Sequence, residues 1–235
     1  MKTPNPIHPT RNGSTLMEVL FVGFVAVILM LLFNALPIFS RTAPKGRMTD
    51  SVSNAKQIMT ALKMYAGDND GKYPFTRVDG TPLGPGDFSN RAFEHLMPKY
   101  SSTKKLFFNK TSAWCRNPAG DRSGDSYLLK RGQNDWNYVV GLAEDSDGRW
   151  PVIATATASA TSLTYSNVKT AKGGVWEGND AVVGYVDGSV RVEGGPGMDS
   201  TDKTKTFPKR PDNGANMFIA TPEWLGPGSF ILAPE

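Results

Sequence analysis

Apolar and polar positions divide this chain of 235 residues into two unlike parts. From Val19 to Phe33 every residue is apolar or glycine, and as far as Phe39 the only polar side chain is Asn34. A run of that length predicts a helix, and about 20 apolar residues is what a single membrane span needs. Pro37 falls near its end and Pro44-Lys45-Gly46 follows, which predicts a kink or a stop, because proline lacks the helix donor. From Thr49 to Ala66 the pattern becomes one-sided: Val52, Ala55, Ile58, Met59 and Leu62 recur at helical spacing. Asp50 or Ser51 can cap its start, and Gly67 can end it. Residues 14–66 are therefore expected to form one long kinked rod.

Beyond the rod, Asp68-Asn69-Asp70-Gly71 predicts a turn. Residues 76–135 are rich in turn formers, with a short helix expected near Asn90–Leu96. Strands are expected at Trp136–Glu144, Pro151–Thr157, Ala181–Val186 and Ser189–Glu193. The last two flank Asp187-Gly188, a strong hairpin signal, and a two-residue turn would pair Tyr185 with Val190 and Val183 with Val192. That apolar face should lie on the helix around Ile58–Leu62. The segment from Gly194 onward, rich in Gly, Pro, Asp and Lys, reads as loop with apolar islands at Met217–Ile219 and Phe230–Leu232. The fold class expected is α+β: a long N-terminal membrane-spanning helix packed on a small antiparallel β-sheet head.

The net charge of +4 narrows the function. Residues 1–47 hold Lys2, Arg11, Arg41, Lys45 and Arg47 against Glu18, while the 21 basic and 21 acidic side chains of residues 48–235 cancel. A nucleic-acid binder should carry its positive charge on the folded body, so nucleic acid is not expected as a partner. One cysteine, Cys115, excludes an intrachain disulfide framework and thiolate clusters, and reads as a buried filler. The two histidines, His8 and His95, leave little for acid–base or metal chemistry. Gly-x-Ser-x-Gly, His-Glu-x-x-His, a Walker loop and a dinucleotide turn are all missing from the sequence, so neither an enzyme nor a cofactor is expected. Asp68–Gly71 and Asp145–Gly148 open like calcium loops, but their twelfth positions hold Asp79 and Ala156 instead of Glu, and Asx turns explain them better.

One carboxylate sits at the mouth of the apolar run, in Gly13-Ser14-Thr15-Leu16-Met17-Glu18. An ionisable residue in that position is a functional feature by default, because lipid penalises it. This stretch resembles the prepilin signature of type IV pilins and type II secretion pseudopilins. The resemblance implies a leader 1–13 cut after Gly13 by a prepilin peptidase, N-methylation of Ser14, and Glu18 as the fifth mature residue, used in assembly. The family usually begins with Phe where this chain has Ser14. An Asp/Asn-Gly-x-Tyr-Pro stretch after the helix, here Asp70-Gly71-Lys72-Tyr73-Pro74, is also common in pseudopilins. Some pilin-like proteins carry His, nine residues, then Asp-Gly; here Glu177 stands at the His position before Asp187-Gly188.

The expected organisation is leader 1–13, transmembrane stem 14–47 and head 48–235. The resemblance implies a single-pass inner-membrane protein with its head outside the cytoplasm, drawn into a periplasmic or surface filament. It also implies the partners: the peptidase, an assembly platform with its ATPase, and sibling pilin-like subunits. A membrane-anchored binding or hydrolytic domain unrelated to filaments is the alternative.

Overall fold

The computed structural model describes residues 16–35, 38–118, 128–158, 164–194 and 229–235. The chain divides into two compact units, Met1–Lys45 and Gly46–Glu235. In the first, helix α1 covers Leu16–Ala35. Helix α2, Ile38–Gly67, supplies the start of the second.

Here the expected fold class is corrected. Among the described residues no helix is long and apolar enough to cross a membrane, and the dominant architecture is a five-stranded antiparallel sheet with few helices. Two helices lie on either side of residues 36 and 37, which are outside the described residues: α1 to Ala35 and α2 from Ile38. The uninterrupted apolar run Val19–Phe33 is 15 residues. At 1.5 Å per residue it covers only about 22 Å of a hydrocarbon core about 30 Å thick. The expected cap at Asp50 or Ser51 is also overturned, because α2 is already helical from Ile38 and runs through Pro44 and Gly46.

The second unit is built around α2's apolar stripe. Ala55, Ile58, Met59, Leu62 and Ala66 are buried at successive helical turns, with Val52 partly buried against the same core. The helix ends at Gly67, and the chain reverses through Asp70 and Gly71 at φ of 53° and 74°. Asn69 N–H and Gly71 N–H both donate to Ala66 O at 2.9 Å, satisfying a carbonyl of the last helical turn.

Strands β1 (Trp136–Val140), β2 (Pro151–Thr155), β3 (Asp180–Tyr185), β4 (Val190–Gly194) and β5 (Phe230–Leu232) lie in the order β4-β3-β2-β1-β5. Every neighbouring pair is antiparallel. β1 and β2 are buried along their whole length, as inner strands of a sheet covered on both faces must be. One face carries Trp136, Tyr138, Ile153 and Gly184 towards α2, and the other carries Asp135, Asn137, Val139 and Val183. Helix α3 (Ser89–Phe93) and a 3-10 turn at Glu94–Leu96 add Phe93, stacked 5.0 Å from Phe107 and edge-on to Tyr138 at 5.5 Å. Each such buried side chain contributes about 1.5–3 kcal/mol by leaving water.

Two expectations fail within the sheet. Phe230–Leu232, read as loop, is β5, paired through Ile231 with Val139. The β3–β4 register is displaced by one: Gly184 faces Val190 and Val182 faces Val192. Gly188 N–H donates to Tyr185 O, and Tyr185 N–H donates to Ser189 O. The connection is therefore a three-residue loop, with Gly188 at φ 83° in the bulge position that glycine favours.

Candidate assembly surface

Of the residues singled out at the N-terminus, Gly13 and Ser14 lie outside the described residues, and Glu18 lies in the first turn of α1. There its negative charge is favoured by the positive end of the helix dipole. Around it α1 buries almost nothing. Met17 is 77% exposed, Phe21 69% and Met30 70%, and Val19, Leu20, Val22, Phe24 and Val27 are all more than half exposed. At 100° per residue these positions reach every side of the helix, so α1 has no polar face to leave in water. A helix apolar all round is stable only against lipid or other helices.

The other sequence candidates are held in structural roles. His95 Nε2 lies 2.8 Å from Thr76 O, and its ring packs edge-on to Tyr65 at 5.4 Å. The Asp68 carboxylate is taken by Lys99 Nζ and by the Tyr100 hydroxyl, both at 2.8 Å, which lower its pKa. Asp147 is chelated by Arg149, down to 2.6 Å, which holds its carboxyl down at about 2. In each segment one acid, Asp68 or Asp147, thus faces a protein cation. Among the described residues no group of three or more His, Cys, Asp or Glu is placed to hold a metal ion. Glu177 sits in left-handed backbone at φ 55°, 4.0 Å from Lys169. Cys115 is buried, as expected, and burial, reinforced by Asp135, pushes its thiol up to about 12.

Sequence reasoning missed the polar group beneath the sheet's second face. Asp135, 0% exposed, leads into β1. Burial pushes its carboxyl up to about 8, against the opposing pull of Asn109, Trp114 and Lys172. Asn109 Nδ2 and Trp114 Nε1 face it, yet neither closes a hydrogen bond of normal length with either carboxylate oxygen. Lys172 lies over the Trp114 ring at 5.2 Å and donates to Pro234 O. The signal was available: Asn134, Asp135 and Asn137 are polar side chains interrupting an otherwise apolar strand.

A groove of about 640 Å³ runs between α2 and the segment from Lys105 to Asn117, lined among others by Asp50, Ser53, Asn54, Lys105, Phe108 and Lys110. It presents amides, hydroxyls, the Asp50 carboxylate and two lysines. The chain was compared with protein-family models, curated proteins and solved structures, and none matches it.

Proposed function

We propose that this chain is a pilin-like filament subunit, a pseudopilin. It is made with the leader 1–13, cut after Gly13 by a prepilin peptidase and methylated on the Ser14 amine. It is held at the inner membrane with its head outside the cytoplasm. An assembly platform with its ATPase then draws it, with sibling subunits, into a type II secretion pseudopilus or a type IV pilus-like filament.

The observation that carries this reading is the exposed apolar surface of the described part of α1, opened by Glu18. Packing such helices side by side replaces lipid contact with helix–helix contact, through close van der Waals fit. The cut after Gly13 would place a positive charge, the α-amine of Ser14, about one helical turn from Glu18. Between neighbouring subunits the same pair would fix how far one helix is offset along the next. The head's neutral charge balance and the structural use of His95 and Cys115 favour a building block over an enzyme.

The test is the mature N-terminus. Intact mass of protein recovered from membranes should correspond to residues 14–235, with one added methyl group. Replacing Gly13 with a bulky residue should leave the leader on. Recovery of protein still starting at Met1 in assembled material would refute the reading.

A further inference from the structure

We propose that the β4 edge of the sheet pairs with the β4 edge of a second copy of this chain, antiparallel and centred on Val192. Among the described residues β4 is an outer strand, hydrogen-bonded on one side only, to β3. The bond from Tyr185 N–H to Ser189 O fixes the alternation along the hairpin. Val183–Arg191 and Ala181–Glu193 are the bonded pairs, so the backbone groups of Val190, Val192 and Gly194 point away from the sheet. An open row of this kind is a template for another strand.

The side chains specify which strand. Antiparallel pairing about Val192 sets Arg191 opposite Glu193 of the second copy, and Glu193 opposite its Arg191. The two-fold makes one strand its own complement, as an isologous contact requires. Directly opposed opposite charges favour a strand pair, and any slip by one residue would lose both. Both side chains are already positioned: the Tyr185 hydroxyl donates to Glu193 Oε1 at 2.7 Å, and the Arg191 guanidinium lies over the Tyr185 ring at 5.1 Å and 3.7 Å from the Asp187 carboxylate. Val192 is 42% exposed, an apolar side chain on an edge that would otherwise stay wet. It would meet its own counterpart across the two-fold.

The experiment is site-specific cross-linking of the full-length chain in detergent, using a short bismaleimide. Opposed Cβ atoms in such a pair lie about 4.5–5.5 Å apart, within reach of that reagent. Native Cys115 is buried and stays in place. Val192→Cys should give a covalent species of twice the mass, whereas Val168→Cys, exposed in a loop, should not. Adding Arg191→Glu should cut the yield about tenfold, because it opposes two like charges at each end. Adding Glu193→Arg to that variant should restore it, since the swap recreates both pairs. The proposal is overturned if Val192→Cys links no better than Val168→Cys. It is equally overturned if the yield ignores Arg191→Glu, if Glu193→Arg fails to restore it, or if the linked partner is a different protein.

Discussion

Gly184 of β3 lies directly against Met59 of α2. A Cβ built at Gly184 would stand 2.7 Å from Met59 Cγ and 2.9 Å from Ile153 Cγ1. The close approach of helix and sheet at this point depends on the missing side chain. Gly184→Val should therefore cost about 1–3 kcal/mol through overpacking, with Gly184→Ala nearer the lower end. Chemical denaturation of the purified protein measures it, and an unchanged midpoint for Gly184→Val would show that Met59 moves aside freely.

Asp135 predicts a pH dependence whose sign follows from its burial. In the unfolded chain its carboxyl ionises near about 3.9. In the folded protein it holds its proton up to about 8. Across that window the folded state binds a proton that the unfolded state has released, so this group makes stability fall as pH rises and stop falling above about 8. Asp135→Asn keeps the shape and removes the titration. Its melting temperature should exceed that of the wild type by a margin that grows between pH 5 and 8. A constant difference across that range would assign Asp135 no titration in the window.

The thiol of Cys115 should resist alkylation. It is buried, and its pKa of about 12 leaves almost no thiolate at neutral pH. A maleimide should label it only after unfolding, so the labelling rate should follow the denaturation curve. Rapid labelling of the native protein would place Cys115 at an opening in the fold.

Glu18 carries the functional prediction. A charged side chain costs about 2.5–3.5 kcal/mol at the middle of a membrane and less near its surface, so the acid at the head of α1 is expected to serve assembly. Glu18→Ala should leave membrane association and head folding intact while strongly impairing filament incorporation. Glu18→Gln should also impair it, because size is retained and charge lost. Assembly at wild-type levels by Glu18→Ala subunits as the only copy would reduce Glu18 to an interfacial acid.

The sequence revealed elements where a pattern repeats within a few turns. The stripe Ala55, Ile58, Met59 and Leu62, the short helix near Asn90 and strands β1 to β4 are all of that kind. It misled where the deciding partner is distant or the backbone makes the choice. Phe230–Leu232 is too short to show alternation, and its strand character comes from pairing with β1, about ninety residues earlier. The Asp187-Gly188 pair announced a hairpin correctly, but Gly188 occupies the bulge and not the second turn position, which moved the register by one. Asn134, Asp135 and Asn137 stand out as polar in the sequence, but only the fold reveals that Asn109, Trp114 and Lys172 converge on Asp135.

The arrangement around Asn90 has a consequence for the order of events during synthesis. Asn134 Nδ2 donates to Ser89 Oγ at 2.8 Å and to Asn90 Oδ1 at 3.0 Å, and Asn90 Oδ1 also accepts from Glu235 N–H at 3.2 Å. Asn90 is therefore shared by a helix made early, the start of β1 and residues that follow β5. The helix and β1 can meet as soon as residue 140 has left the ribosome. The β1 edge stays open, and Asn90 incompletely bonded, until residues 230–235 emerge. A head of this design reaches its final form only after nearly a hundred further residues have been added, so a ribosome stalled between residues 140 and 230 would display a sheet with one raw edge, ready for a chaperone or for misassociation.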